Sequence, residues 1–208
     1  MLIGFDISTA PSPDRLVTLR KNFDFCGCYL APAPSHPDKS WMVAGILNAR
    51  RIGFRFLPVF VGQQITGPGS KINTVAQGEI DARQAVSHMA SAEFPKSSPV
   101  YLDLENGAPF DEPQRSYVFA WIEEVRRLGY TPGVYCSHTF ANSFDPDKTR
   151  VWAFRVPTTQ TTVQVHMPPP LAVTLGKYSA LQYRQNVSLP DLGLVVDFNV
   201  ASPLALAS

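Results

Sequence analysis

The sequence predicts a single α/β barrel that is regular over its first two thirds and irregular in its last third. Up to about residue 137, apolar runs of strand length alternate with segments of helical periodicity, the pattern of repeated βα units around a parallel sheet. The 208 residues, 45% of them hydrophobic, can bury one substantial core, and this length is near the lower limit for a (β/α)8 barrel. We therefore expect one TIM-like barrel domain over residues 1–208.

The regular part of the chain contains five predicted strands and three clear helices. The strands are expected at residues 2–6, 25–30, 54–61, 100–105 and 133–137. Pro113 suits the first turn of a helix that runs to residue 128, after which Gly129 supplies a left-handed stop. Ser40 is expected to begin a second helix before Gly53, and Asn73 a third that ends near residue 92.

The last third of the chain keeps the strands but loses the helices between them. Strands are expected at residues 151–156, 162–167, 178–183 and 194–199. Their connections include stretches rich in Thr and Pro without helical periodicity, so we expect loops there. In a closed barrel the first strand of the chain, at residues 2–6, is a neighbour of the last one, at residues 194–199.

The charge and hydropathy patterns argue against several classes of partner. A formal net charge of +1 without basic runs gives no electrostatic footprint for nucleic acid or an anionic membrane. Nothing approaches the roughly twenty consecutive apolar residues of a membrane span, and the first strand meets Asp6 before a signal-peptide core could form. We expect synthesis in the cytoplasm, export only by another route, and a monomer that remains open to neutral polymers such as glycans.

The cysteines and histidines do not have the spacing of a metal site. We therefore expect no metal ion and no other cofactor, and the lack of paired histidines also disfavours a metal-dependent phosphodiesterase. The cysteines are expected to be small core residues in a reducing compartment. These residues are Cys26, Cys28 and Cys136, with His36, His88, His138 and His166.

Acidic residues end three of the predicted strands. Asp103 and Glu105 are two residues apart at the end of an apolar strand, so both point to the same side of the sheet. Asp6 ends the first strand, and Asp197 follows an apolar run in the last one. Each acid alone could cap a turn or join a salt bridge. Together they are expected to share one cleft at the C-terminal mouth of the barrel, where such folds place their active sites.

Short motifs along nearly the whole chain resemble one family of barrels. In order they are Gly4-Phe5-Asp6, Leu57 to Gly62, Gly78 to Ala82, Tyr101 to Glu105, Gly129-Tyr130 with Gly133 to Tyr135, Val151 to Ala153, Leu181 to Tyr183 and Val196 to Asn199. Their order and spacing resemble the glycoside-hydrolase-like TIM barrels catalogued as a domain of unknown function, which are similar to the lysozyme-type family-twenty-five muramidases. The muramidase barrel also has five βα units followed by strands without helices.

The resemblance implies a role for each acid. Glu105 matches the general acid of the muramidases, and Asp103 matches the carboxylate that stabilises the oxocarbenium-like state or orients an acetamido group. Asp6 and Asp197 match the outer acids. A proton donor must keep its proton near neutral pH, so we expect Glu105 to be buried among like charges. Asp103 is expected to be better solvated or hydrogen-bonded and to stay ionised.

The chain is therefore expected to be a glycoside hydrolase that acts on peptidoglycan or a related amino-sugar glycan. Candidates for substrate binding lie near strand ends, where a hydroxyl or amide suits a sugar: Tyr29, Tyr135, Gln182 and Tyr183. Two alternatives remain open, since a fold does not establish chemistry. One is a glycan-binding barrel without catalysis, and the other is a scaffold domain of a phage or secreted effector protein.

Overall fold

One sheet that closes on itself organises the computed structural model, which describes residues 1–33, 40–64, 71–105, 110–155, 162–164 and 173–208. The elements of the first part are β1 Leu2–Asp6, α1 Pro13–Arg20, β2 Phe25–Tyr29, α2 Met42–Ile52, β3 Arg55–Phe60, α3 Val75–Ser91, β4 Pro99–Leu104, α4 Glu112–Arg127 and β5 Thr131–Ser137. The later strands are β6 Arg150–Phe154, β7 Val163–Gln164, β8 Ala180–Leu189 and β9 Leu194–Ala201.

Eight of these strands form the ring of the barrel. The strands β1 to β6 are parallel neighbours in chain order, β6 pairs with β8, and β9 pairs with both β8 and β1. The short β7 is added to the side of β8. Helices α1 to α4 follow β1 to β4. In the described segments after β5, the strands are accompanied by short 3-10 helices and no α-helix. The predicted TIM-like barrel with an irregular last third is confirmed.

Strand β9 differs from the parallel pattern that the first two thirds predict. It runs antiparallel to both of its neighbours. A strand joined to the previous one by a short turn must reverse direction, and only the turn of residues 190–193 separates β8 from β9. The predicted strands at 151–156 and 162–167 are present over Arg150–Phe154 and Val163–Gln164, and residues 156 and 165–167 lie outside the described residues.

Side chains alternate between an outer core under the helices and an inner core within the barrel. Leu102, Leu104 and Val134 are fully buried in the outer core, as the predicted strand register requires. Tyr101 and Trp152 point the other way, into the inner core. Asp103 follows the same alternation, so its carboxyl group lies on the inner side of the sheet.

The helix ends mostly follow the predicted signals. The Asp111 carboxylate accepts a hydrogen bond from the backbone N–H of Gln114 at 2.8 Å and caps α4, and Gly53 ends α2 with a left-handed φ of 98°. The predicted starts are early by a residue or two: α2 follows Trp41 rather than Ser40, and Thr74 rather than Asn73 caps α3. Among the described residues, no helix is both long and apolar enough to cross a membrane.

The C-terminal segment closes the bottom of the barrel. Ala207 forms a backbone bridge with Phe56, and the Tyr101 hydroxyl donates to the Ala205 carbonyl oxygen at 2.8 Å. Ala205 and Leu206 are buried in the inner core. A ligand therefore has to enter from the opposite end, where the C-termini of the parallel strands lie. The three cysteines are buried and form no disulfide.

Candidate active site

The first and last strands bring two acids together at the mouth of the barrel. Asp6 and Asp197 are direct partners in the β1–β9 register. The Gln182 Nε2 group donates to Asp6 Oδ2 at 3.3 Å and to Asp197 Oδ2 at 2.6 Å. Asp197 was expected to end its strand, but β9 continues to Ala201. It still reaches the mouth because β9 is antiparallel to β1, so the first half of β9 lies beside the end of β1.

A layer of hydrogen-bonded side chains orients this acid pair from below. Asn199 Nδ2 donates to Asp6 Oδ2 at 2.7 Å, and its Oδ1 accepts from the Trp152 indole N–H at 2.9 Å. The Tyr135 hydroxyl donates to Gln182 Oε1 at 2.7 Å. Because this oxygen accepts from Tyr135, the amide nitrogen of Gln182 faces the two carboxylates.

A bulge in β8 supplies another donor to Asp197. The β8–β9 register shifts between Gln182 and Val187, so this part of β8 contains extra residues. Within the bulge, Asn186 has a φ of 54° and its backbone N–H donates to Asp197 Oδ1 at 2.7 Å. Gln185 Nε2 also donates to Gln182 Oε1, at 3.0 Å. A left-handed conformation at a residue other than glycine is strained, and such strain is common beside functional sites.

Asp103 is the most buried acid of the site. Its side chain has no exposed surface, and neither carboxyl oxygen has a hydrogen-bond partner in the described part of the chain. Burial, followed by the negative charges of Glu105 and Asp6, raises the pKa of Asp103 well above its ordinary value. Burying an acid without a described hydrogen-bond partner costs free energy. Such costly buried acids are common at functional sites.

The environments of Asp103 and Glu105 are the reverse of those expected from the sequence. The side chain of Glu105 is exposed, whereas Asp103 is buried. The reason is the length of β4, which ends at Leu104. Asp103 therefore lies inside the barrel wall, and Glu105 lies just beyond the end of the strand. Glu105 still affects its neighbour, since its charge raises the pKa of Asp103.

The two acids of the β1–β9 pair, Asp6 and Asp197, are also weaker acids than ordinary aspartates. Burial, then the charge of Asp197, raises the pKa of Asp6 well above its ordinary value, against the hydrogen bonds from Asn199 and Gln182. Burial raises the pKa of Asp197 to about 6, although the hydrogen bonds from the Asn186 N–H and Gln182 lower it. The mouth therefore holds protons more tightly than free aspartates would.

Two of the three predicted tyrosines lie among these acids. Burial, followed by the charges of Asp103, Asp6, Glu105 and Asp197, raises the pKa of Tyr29, so its hydroxyl lies within electrostatic reach of all four acids. Burial, then Asp6, also raises the pKa of Tyr135.

Tyr183 lies on the other face of the sheet from the acids. It packs on the outer core, with its ring centroid 6.2 Å from that of Phe198. This placement corrects the expectation that Tyr183 faces the substrate. Tyr183 lies at the first register shift between β8 and β9, where the regular alternation of side chains that the prediction assumed is interrupted.

Several residues of the site were given no role by the sequence analysis, although Trp152 and Asn199 lie within the motifs that carry the family resemblance. Asn199, Trp152 and the β8 bulge all contact the acids or their partners, yet amide and aromatic side chains on apolar strands resemble ordinary packing. Gly27 is another case: a Cβ atom there would lie 2.5 Å from the Asp6 Cβ and 2.9 Å from the Trp152 ring. Within the described ranges, no three Asp, Glu, His or Cys side chains are arranged to hold a metal ion.

A family model matches most of the chain. The model describes the Rv2525c-like, glycoside hydrolase-like domain and matches residues 18–187. The chain belongs to this family. No curated protein sequence matches it at a significant level.

Several solved structures have the same barrel fold at low sequence identity. The Tat-secreted protein Rv2525c of Mycobacterium tuberculosis, solved with L-tartrate, has a TM-score of 0.68 and 16% identity over 97% of this chain and 95% of its own. GHIP of Streptococcus pneumoniae, described as a glycosyl hydrolase 25, has a TM-score of 0.65 and 17% identity over 98% and 88%. The catalytic domain of endolysin ply40 from a Listeria phage has a TM-score of 0.64 and 16% identity over 99% and 95%.

These likenesses establish the fold of this glycoside hydrolase-like domain. The barrel has the same fold as GHIP and the catalytic domain of endolysin ply40. Identities of 16–17% do not transfer the chemistry of individual residues, so any role for the acids has to be argued from this site.

Proposed function

We propose that the protein is a glycoside hydrolase that cuts peptidoglycan or a related amino-sugar glycan. The observation that carries the proposal is the placement of Asp103 and Glu105 at the one end of the barrel that the C-terminal segment leaves open. Paired carboxyl groups are the usual equipment for cleaving a glycosidic bond. The relationship of the barrel to a phage endolysin supports a cell-wall glycan as the substrate.

Glu105 is the proposed general acid. Its exposed carboxyl group can reach a glycan bound across the mouth and protonate the oxygen of the scissile bond. A bound sugar would also remove water from Glu105, and desolvation favours the protonated form of a carboxyl group.

Asp103 is the proposed stabiliser. Both of its oxygens lack a partner among the described residues. A donor from the substrate, such as the N–H of an acetamido group, would bond to them once the groups that cover Asp103 in this structure move aside. That donor would favour the ionised form of Asp103, which could then orient the acetamido group or stabilise positive charge at the anomeric carbon.

The remaining polar groups have supporting roles in this proposal. Asp197, which is ionised at pH values above its pKa of about 6, adds negative potential at the mouth, and this favours an oxocarbenium-like transition state. Asp6 shares the donor Gln182 with it. Tyr29 and Tyr135 are the proposed contacts to a sugar ring. Gln182 is expected to orient the outer acids rather than the substrate, since it is already bonded to both of them.

A glycan-binding barrel without catalysis is the second candidate. The observation that favours it is the exposure of Glu105, because a general acid is usually kept in a less polar environment. In this reading the acids and tyrosines bind sugar hydroxyls and amides, and the bond is not cut.

Incubation with purified cell-wall sacculi separates the two candidates. A hydrolase releases soluble reducing ends, whereas a binding protein only sediments with the sacculi. For a hydrolase, Glu105→Gln should lower turnover by about 10²-fold or more and keep sedimentation with sacculi. The matched control is Glu123→Gln, which makes the same change on a side chain of α4 that is 71% exposed.

The outcomes differ for each reading. Full turnover in Glu105→Gln would contradict the proposed mechanism. Binding without release by the wild-type protein would favour the glycan-binding barrel. A protein that neither binds nor cuts sacculi would favour the scaffold alternative.

A further inference from the structure

The side chain of Gln64 continues the pairing of β3 with β4 after the backbone of β3 has turned away. The β3–β4 register pairs Val59 with Tyr101 and Phe60 with Leu102. Two residues farther along this ladder, Leu104 would need a backbone partner, but β3 ends at Phe60. In its place, Gln64 Nε2 donates to the Asp103 carbonyl oxygen at 2.7 Å, and Gln64 Oε1 accepts from the Glu105 N–H at 3.3 Å.

This carboxamide imitates a residue of a parallel strand. In a parallel ladder, one residue donates its N–H to the carbonyl before its partner and accepts from the N–H after it. The Asp103 carbonyl and the Glu105 N–H are the two groups that flank Leu104. Gln64 therefore supplies both hydrogen bonds of a missing strand residue with one side chain.

A buried network explains why the backbone of β3 leaves the ladder. The Gln63 N–H donates to the Tyr117 hydroxyl at 3.0 Å, and this hydroxyl donates to Asp81 Oδ2 at 2.6 Å. Gln63 Nε2 also donates to Asp81 Oδ2, at 3.4 Å. Gly62 permits this path, because a Cβ atom there would lie 2.0 Å from the Tyr117 hydroxyl. The network holds Gln63 towards α3 and α4, and Gln64 is left facing β4.

We propose that Gln64 is a positioning residue for the acid pair, because its carboxamide holds the backbone that carries Asp103 and Glu105. The inference rests on the proposed hydrolase function and adds a residue outside the four acids. Glu105 is exposed and lies beyond the end of β4, so the hydrogen bond from its N–H to Gln64 limits where its carboxyl group can move. A displacement of about 1 Å between catalytic groups can slow a reaction by about 10²-fold.

Gln64→Met tests the proposal, because methionine has a similar length but neither donates nor accepts these hydrogen bonds and adds no charge. Gln64→Asn is the second variant, since it keeps the carboxamide but is one methylene too short. Gln84→Met is the matched control, on an exposed side chain of α3. Two quantities are measured for each folded variant: the hydrogen-exchange rate of the Glu105 amide by NMR, and kcat and KM on a soluble peptidoglycan fragment.

Both Gln64 variants should show faster exchange at Glu105 and a kcat lower by about 10- to 100-fold, with KM within about threefold of wild type. Gln84→Met should match the wild type in all three quantities. A residue with a purely structural role would lower the melting temperature and leave kcat per folded molecule unchanged.

Three results would overturn the proposal. An unchanged hydrogen-exchange rate of the Glu105 amide in Gln64→Met would overturn it, whether or not the protein is active. Faster exchange with unchanged kcat would remove the positioning role and leave the hydrolase function intact. A wild-type protein without turnover would instead overturn the hydrolase function, and the positioning role for catalysis would fall with it.

Discussion

Replacing Asp197 by asparagine should stabilise the protein at neutral pH, because the fold disfavours the charged form of this side chain. Its pKa is about 6 in the folded protein and 3.8 ordinarily. At about 1.4 kcal/mol per pH unit, this difference corresponds to about 3 kcal/mol against the ionised carboxylate. Asp197 is only partly buried, so solvent screening reduces this figure.

The substitution also loses one hydrogen bond. An asparagine Oδ1 can still accept from the Asn186 N–H, but its Nδ2 group would face the amide nitrogen of Gln182, which is also a donor. The loss of that bond costs about 1 kcal/mol. A net gain of about 1–2 kcal/mol remains, which corresponds to a rise in Tm of about 2–8 °C for a chain of this size.

The difference in stability between wild type and Asp197→Asn should depend on pH. A carboxyl group whose pKa is raised by folding contributes stability below its unfolded pKa, and this contribution is lost as the pH rises through the folded value. Wild type should therefore lose stability relative to Asp197→Asn between about pH 3.8 and pH 6. The advantage of the variant should be full at pH 7.5 and absent at pH 3.5.

Denaturant unfolding of both proteins at several pH values measures this difference. Asp147→Asn is the control, since it makes the same change at an exposed position and should show no such trend. A stability difference that does not change with pH would refute the electrostatic reasoning. So would an Asp197→Asn variant that is less stable than wild type at pH 7.5.

Two further predictions concern packing. Trp121 is fully buried in the outer core, so Trp121→Ala should destabilise the protein by about 3–5 kcal/mol in denaturant unfolding, with activity per folded molecule retained. Trp121→Phe should cost much less, because the indole N–H has no hydrogen-bond partner within the described ranges; equal losses for both variants would contradict the cavity argument. Gly27→Ala should lower sacculus binding and turnover more than thermal stability, since its Cβ would press on Asp6 and Trp152. Wild-type binding and turnover in that variant would show that the neighbouring side chains relax to accommodate the methyl group.

The sequence alone was enough to predict the barrel. Period-two alternation along β4 predicts that Leu102 and Leu104 pack outward, and both are buried in the outer core. Helix caps such as Gly53 and the run of βα units depend on interactions between residues close in the chain. Such local patterns are visible in a sequence because each residue's role depends on its near neighbours.

Tertiary structure decided how these acids are surrounded. The end of β4 at Leu104 leaves Asp103 buried and Glu105 exposed, the reverse of the expectation, because burial depends on where the other strands stop. The antiparallel β9 carries Asp197 to the mouth, and the amide groups of Gln182 and Gln64 reach their partners across 15 and 39 positions of the chain. Contacts of this kind depend on which strands become neighbours and on where each strand ends, and no local pattern records them.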